Sequence, residues 1–393
     1  VPGTWAERER AVGVGPRVLV DATAVPADRG GVGRYVDQLL PALVELGADL
    51  AVVCQRRDET FYRDLLSGIR LEVAPDRVQR RPVRLAWEQA GLPRVARRVG
   101  AAVIHCPHYT MPLAAGLPVV TTLHDATFFT HPEVHQPVKR AFFRAWTTVS
   151  LRRAARCVVP SRATLDELGR VTRGVHGQVE VAHHGVDAAR FHVPTGEETA
   201  DARRYLGLRA TRYVAFLGTI EPRKNVPALI EGWQQAVADM PDPPALVLAG
   251  GRGWDERVDE VLARVPDHLE VLRPGYLPLE LLAGFLGGAE VLAYPSLAEG
   301  FGLPVLEAMA CGAPVLTTRS LALPEVGGDA VAYTEPDAAS IADGLRGLLA
   351  DPERRAQLSS AAVARSAGFT WRTCAEQHLR AYAAATGARR DHA

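Results

Sequence analysis

The stretch E-V-L-A-Y-P-S-L-A-E-G-F-G-L-P-V-L-E-A-M-A-C, residues 290–311, decides how the chain is read. Val291 to Tyr294 is a short apolar run that reads as a buried strand, and Pro295 and Ser296 end it. Glu299-Gly300-Phe301-Gly302 reads as a tight loop, because two glycines this close supply backbone freedom that other residues lack. Pro304 suits the first turn of a helix, where its missing N–H costs nothing. Val305 to Ala310 continue that helix, and Gly312 with Pro314 stops it. A glycine loop that opens a helix presents free N–H groups and the positive end of a helix dipole, a natural seat for phosphate. Glu299 lies on the loop and Glu307 about one turn into the helix, so both carboxylates can border one pocket. Carboxylates are poor phosphate ligands and good acceptors for paired hydroxyls. Phosphate donors flanked by two such groups point to a nucleotide sugar; the alternative is a helix cap beside a surface glutamate.

Working outward, strands and helices alternate. Residues 17–22 read as the first strand, 26–34 as a loop, and 35–46 as a helix with Val36, Leu39, Leu40, Leu43 and Leu46 on one face. Further strands are expected at 50–54, 69–74, 102–105, 119–123, 157–160 and 178–182, with helices near 58–67, 84–99, 135–154 and 161–171. The pattern then restarts: a strand at 213–217, a loop at 218–225, a helix at 226–239, and strands near 245–249, 269–272, 290–294 and 314–317. Helices near 337–350, 352–366 and 372–386 close the chain. This is the mark of two doubly wound α/β domains with parallel sheets. The expected division is an N-terminal extension (1–16), a first Rossmann-like domain (17–187), a second (188–368) and a terminal segment (369–393). The polar, turn-rich stretch to Glu198 reads as the linker. Such sheets bind ligands at the carboxyl ends of their strands, so two of them facing each other place one ligand per domain across a cleft.

Length and composition agree with that layout. The chain has 393 residues, 47% of them hydrophobic, enough for two large cores. Lys and Arg number 45 and Asp and Glu 45, so no overall charge argues for nucleic acid. Residues 1–187 nevertheless carry 25 basic against 19 acidic side chains, which hints at a basic face on the first half. Two segments concentrate it, Arg77–Arg98 and Lys139–Arg156; these read either as helices with a solvated basic face or as contacts to an anionic membrane surface. Five scattered cysteines without a C-x-x-C pair fit buried thiols in a reducing compartment. Residues 1–16 lack the apolar core of a signal peptide and no apolar run is long enough to span a bilayer. The expected location is therefore cytoplasmic, with the inner membrane face as the extension of that reading.

E-G-F-G-L-P-V-L-E at 299–307 resembles the E-x7-E signature of the retaining nucleotide-sugar glycosyltransferases of family 4. Gly218-Thr-Ile-Glu-Pro-Arg-Lys-Asn225, His124-Asp125 and Gly30-Gly-Val-Gly-Arg34 resemble further motifs of that family, in family order. The resemblance implies the GT-B architecture, with the terminal helix crossing back onto the first domain. It implies hexosyl transfer with retention, without a metal or other cofactor. Arg223 and Lys224 would neutralise the diphosphate leaving group, and Gly31 and Gly218 would let backbone approach the donor. Glu299 would contact the donor sugar, Glu307 the ribose diol, and the backbone of Phe301, Gly302 and Leu303 the sugar or phosphate. His124 would face the sugar near the reacting carbon, although a lone histidine at a strand end is more often structural. Asp125 and Tyr109 are the candidate acceptor contacts. GDP-mannose is the first-choice donor, ahead of dTDP-rhamnose and UDP-sugars, and the acceptor is a hydroxyl on a glycan or lipid-linked glycan. A nucleotide-sugar epimerase and a non-catalytic nucleotide- or glycan-binding protein are the competing readings. The histidines 105, 108, 124 and 131 match no metal-ligand spacing.

Overall fold

The computed structural model describes residues 15–27, 29–172 and 178–387. Among these residues there are two parallel sheets. The first has seven strands: β1 (Val18–Asp21), β2 (Leu50–Cys54), β3 (Arg70–Val73), β4 (Val103–Cys106), β5 (Val119–Thr122), β6 (Arg156–Val159) and β7 (Val179–Val181), in the order β3-β2-β1-β4-β5-β6-β7. The second has six: β8 (Tyr213–Leu217), β9 (Ala245–Ala249), β10 (Val271–Gly275), β11 (Val291–Tyr294), β12 (Val315–Thr318) and β13 (Ala332–Thr334), in the order β10-β9-β8-β11-β12-β13. The order reverses beside β1 and beside β8, and each reversal opens a crevice at the strands' carboxyl ends. Central strands such as Leu50–Cys54 and Tyr213–Leu217 are buried at every position, as helices on both faces of a parallel sheet require.

The helices that matter below are α1 (Gly30–Glu45), α2 (Arg81–Val99), α3 (Pro137–Arg153), α4 (Arg162–Thr172), α5 (Gly196–Leu206), α6 (Val226–Val237), α7 (Leu303–Ala310), α8 (Leu323–Gly327) and α9 (Trp371–Gly387). On α2 the apolar face of Leu92, Val95, Ala96 and Val99 is buried in the first core, while Arg94, Arg97 and Arg98 point to solvent. On α3 Phe143 and Trp146 pack against the same core, and Val138 near its start is 84% exposed. Among the described residues no helix is long and apolar enough to cross a membrane.

Four expectations need correction. The glycines of 26–34 are not loop: α1 starts at Gly30, after Arg29 at φ 60°. A side chain at Gly33 would stand 2.9 Å from Arg29 Cβ and 3.2 Å from Val25, so the glycine lets the first turn fold back on the incoming chain. The stretch up to Glu198 is not all linker, because α5 begins at Gly196. Thr195 accepts from Glu198 N at 3.2 Å and the Glu198 carboxylate accepts from Thr195 N at 2.7 Å, a reciprocal cap. The sixth strand of the second sheet, β13, was not anticipated; it is a three-residue edge strand beside β12. Finally, β10 runs to Gly275, with a register break between Leu272 and Gly275 that accommodates Pro274. The expected extension over 1–16 lies outside the described residues except for its last two.

The terminal helix α9 packs on α1 and on β4 to β7 of the first sheet. Its anchors form one oriented chain of hydrogen bonds. His378 Nδ1 faces the Cys374 carbonyl at 2.8 Å, which can only accept, so Nδ1 carries the proton and Nε2 accepts from Tyr35 at 2.6 Å. Tyr35 in turn is met by Thr122 Oγ1 at 2.9 Å, Thr122 by His105 Nε2 at 2.9 Å, and His105 Nδ1 by the Tyr382 hydroxyl at 2.9 Å. All five side chains are buried. Burial depresses the titration of both histidines, which keeps them neutral and leaves each with one donor and one acceptor.

Candidate active site

The end of β8 and the end of β11 lie side by side, because the two strands pair in register in the second sheet. Gly218 ends the first, and its N–H bonds Ala249 O at 2.9 Å. The loop from Gly250 to Gly253 presses on the backbone of 218–220: a side chain at Gly250 would fall 2.3 Å from Gly218 O, and one at Gly253 1.8 Å from Ile220 O. Asn225 occupies the left-handed region at φ 58° and turns the chain into α6; its amide holds Pro336 O at 2.7 Å. This bracing aims Arg223 and Lys224 back toward Glu299.

There they form a closed cluster. Arg223 Nη1 donates to Glu299 Oε2 and to Ala298 O, each at 2.6 Å, and Nη2 donates to Glu221 Oε1 at 2.7 Å. Lys224 Nζ donates to Glu299 Oε1 at 2.6 Å and to the Tyr294 hydroxyl. Ser296 Oγ and Tyr294 Oη donate to the same carboxylate oxygen at 2.6 and 2.9 Å. Burial alone would push the Glu299 carboxyl up, but the two cations outweigh it and hold the group at about 2. Burial and the like charge of Arg223 lower Lys224. An ammonium has three donors and two are committed here, so one N–H of Lys224 stays available, as does Nε of Arg223.

Gly302, at φ 103°, turns the loop into α7, and no side chain caps that N-terminus. Phe301 is buried against His184 (ring centroids 5.0 Å apart) and Phe369 (6.0 Å), so of this residue only the backbone can face a ligand. Leu303 is likewise buried. Glu307 is not part of the Glu299 cluster. It pairs across the cleft with Arg34 of α1, Nη2 lying 2.9 Å from both carboxylate oxygens. Burial raises the Glu307 carboxyl to about 7, against the opposing pull of Arg34.

From the first sheet, His124 sits just past β5. Its Nε2 lies 2.7 Å from Pro107 O; a carbonyl only accepts, so the neutral ring carries its proton there and leaves the Nδ1 lone pair free of it. Burial lowers its titration. Asp125 Oδ1 accepts from Thr127 N at 3.1 Å and Thr127 Oγ1 at 2.8 Å, starting a one-turn helix. Tyr109, at φ 53°, is 3% exposed, and its hydroxyl accepts from Asp125 N at 3.0 Å. Its observed contacts are those of a scaffold for the His124-Asp125 turn. Gly31, in the first turn of α1, has open space where a side chain would stand. The second domain's loop reaches this group directly: a side chain at Gly300 would fall 1.9 Å from His124 O.

The structure therefore brings Arg223, Lys224 and Glu299 into one cluster, sets His124 against the adjoining loop, and holds Glu307 apart with Arg34. The sequence reading did not single out Glu221, Tyr294 or Ser296, although the first lies inside the quoted 218–225 motif and the others end the quoted strand. His105 is committed to Tyr382 and Thr122, and among the described residues no group of three or more His, Cys, Asp and Glu could hold a metal ion.

Two sequence profiles cover most of the chain: Glycosyltransferase Family 4 matches residues 29–190 and Glycosyl transferases group 1 matches residues 175–365. The O-antigen chain mannosyltransferase B of Escherichia coli is 29% identical over 282 residues, covering 71% of this chain and 74% of that protein. The D-inositol 3-phosphate glycosyltransferase of Xylanimonas cellulosilytica is 29% identical over 418 residues, covering 95% and 97%. Among solved structures, Anabaena Alr3699/HepE in complex with UDP and glucose superposes with a TM-score of 0.75 at 19% identity, over 93% of this chain and 98% of the other. Sucrose-phosphate synthase from Thermosynechococcus elongatus does so at 0.73 and 23% identity, over 94% and 98%. With two parallel Rossmann-like sheets, a terminal helix returned to the first and these motifs in order, the chain is a family 4-like glycosyltransferase of GT-B architecture.

Proposed function

We propose that the protein transfers a hexose from a nucleoside-diphosphate sugar to a hydroxyl of a glycan or lipid-linked glycan, with retention at the anomeric carbon. The observation that carries this reading is the Arg223–Lys224–Glu299 cluster at the carboxyl ends of β8 and β11, beside a helix N-terminus and next to His124. The remaining N–H groups of Lys224 and Arg223 would meet the diphosphate, whose charge grows as the glycosidic bond breaks. Glu299, kept ionised, accepts from sugar hydroxyls and steadies positive charge at the anomeric carbon. His124 and the backbone of Gly302 and Leu303 bind the sugar from either side. Glu307 leaves Arg34 to accept from the ribose diol. In front-face displacement the leaving phosphate oxygen takes the proton of the attacking hydroxyl, so no protein base is consumed. Residues 17–187 would then supply the acceptor side and 188–368 the donor side, with residues 369–393 returning to the first.

Mannose is the first choice of sugar, supported by the E. coli relative's name. UDP-glucose stands next, because the Anabaena structure holds UDP and glucose. The protein would work in the cytoplasm, with the basic face of α2 and α3 turned to a membrane carrying the acceptor.

The test is a thermal-shift panel of GDP-mannose, dTDP-rhamnose, UDP-glucose, UDP-N-acetylglucosamine and the free nucleotides. A ligand at 100 times its Kd stabilises the folded state by about 2.7 kcal/mol. One nucleotide family should raise the Tm, and the rise should vanish in Arg223→Ala. A well-folded protein that no nucleotide stabilises would overturn the reading.

A further inference from the structure

Helix α4 begins the last crossover of the first sheet, yet its N-terminus is capped from the second domain. Of its first three N–H groups, those of Arg162 and Ala163 donate to the two carboxylate oxygens of Glu325 on α8, at 2.9 and 3.1 Å. The third, that of Thr164, donates to Ser161 Oγ at 3.0 Å. The Ser161 hydroxyl lies 2.7 Å from the carbonyl of Gly300 and 3.1 Å from Thr164 Oγ1, and its one proton goes to the shorter contact. Thr164 Oγ1 donates to the same carbonyl at 3.2 Å. His183 Nε2 adds a 2.5 Å contact to Glu325. Ser161 and Thr164 are buried, and Gly300 lies between Glu299 and the start of α7. Its other side rests on His124 O, so the loop is held between two groups of the first domain.

The cap accounts for the Ser161 lone pair but for neither hydroxyl proton. Ser161 caps α4 by accepting, and the Thr164 hydroxyl donates to no group of α4. What both hydroxyls share is one carbonyl on the other domain, one residue from the carboxylate of the cluster. A backbone carbonyl fixed by two donors fixes the one peptide plane it belongs to, here that between Gly300 and Phe301, and the Gly300 Cα is pinned on its other side by His124 O. The loop that carries Glu299 is then seated against the first domain only when the two domains are docked, while its carboxylate keeps its second-domain donors.

We infer that Ser161 and Thr164 are positioning residues for the donor loop and that Glu325 docks the second domain on α4, so that the Glu299 cluster is aligned with His124 only in the closed molecule. This rests on the transfer reading above. These three contacts therefore bear on bond breaking and not on nucleotide binding, since the Arg223–Lys224 cluster belongs wholly to the second domain.

Three variants test it in the full chain. Thr164→Val removes one donor and leaves the α4 cap intact. Ser161→Gly removes the other at an N-cap position that tolerates glycine. Thr164→Ser restores the hydroxyl and serves as the control. Two readouts are needed: amide hydrogen exchange of segments 161–165 and 299–303, and release of nucleoside diphosphate from whichever nucleotide sugar of the panel stabilises the protein. In Thr164→Val and Ser161→Gly, exchange at 299–303 should rise at least tenfold. The kcat for diphosphate release should fall at least tenfold, with the Kd for the free nucleoside diphosphate within twofold of wild type, while Thr164→Ser stays within threefold on all three. Glu325→Gln should loosen 161–165 in the same experiment. If both hydroxyl variants exchange and turn over as wild type, the inference is overturned. If exchange responds as stated but no nucleotide binds the wild-type protein, the docking stands and the donor reading fails.

Discussion

Replacing either glutamate of the 299–307 motif by glutamine should change stability in opposite directions. Glu299 is held at about 2, below the ordinary glutamate value of 4.5. At about 1.4 kcal/mol per pH unit that gap is worth about 3 kcal/mol. Because the folded value is depressed, this stability is fully present above about pH 4.5 and is lost only as pH falls toward 2. Glu299→Gln leaves Lys224 buried without its countercharge and Arg223 with Glu221 alone, and removing one partner of a buried pair costs about 3–5 kcal/mol, in agreement. Glu307 lies on the other side, raised to about 7. A carboxyl whose folded value is raised contributes no penalty below about pH 4.5. It destabilises progressively between 4.5 and 7, by about 3 kcal/mol at pH 8 and about 1 kcal/mol at pH 5.5. Glu307→Gln removes that penalty, and Arg34, at 30% side-chain exposure, keeps access to water. For a unit of 150–250 residues, 1 kcal/mol moves the Tm by about 2–4 °C. Glu299→Gln should therefore lower the Tm by about 6–12 °C at both pH 5.5 and pH 8. Glu307→Gln should raise it by about 6 °C or more at pH 8, and by about a third of that at pH 5.5. Melting curves of the three proteins at the two pH values decide the matter. A Glu307→Gln variant that is destabilised at pH 8, or whose effect is independent of pH, refutes the argument.

Gly300→Ala places a methyl group on the His124 carbonyl, so the domains cannot dock as observed; turnover should fall more than 100-fold while a nucleoside diphosphate still raises the Tm. Loss of nucleotide binding in that variant would show that the loop, and not the docking, was damaged. Arg34→Leu removes the charge that holds Glu307 down, so the pH at which nucleotide stabilisation fades on acidification should move upward from about 7; an unchanged midpoint refutes the pairing. Tyr382→Phe leaves His105 Nδ1 buried without its donor and should cost about 1–3 kcal/mol in urea unfolding. A neutral substitution there would mean that α9 is held by apolar contact alone.

The sheets were legible because their central strands are apolar throughout and turn residues bound them. All seven strands of the first sheet were anticipated from runs such as Leu50–Cys54. The strand Ala332–Thr334 was not, since Ala-Tyr-Thr lacks the alternation of β-branched residues that Val179-Glu-Val181, an edge strand of the same length, retains. The helix at Gly196–Leu206 was signalled by Thr195 and Glu198, but its polar surface made it read as linker. At the site, Arg223, Lys224, Glu299 and Glu307 stood inside recognisable spacings. Arg34 on Glu307 and Glu325 on α4 did not announce their roles, because each acts on a partner 273 or 163 positions away. Pairings of that kind arise from how two sheets face one another, which local composition does not encode.

The return of α9 to the first sheet also sets an order of events at the ribosome. The layer over β4 to β7 includes residues 371–387, so the first half of the polypeptide cannot complete its fold when its own strands have emerged. At about 5–20 residues per second, the roughly 200 residues between β7 and the end of α9 take about 10–40 s to synthesise. During that interval Tyr35 lacks His378 and His105 lacks Tyr382. The second half, whose sheet closes with β13, can be finished first, and the nascent chain then matures from its middle outward.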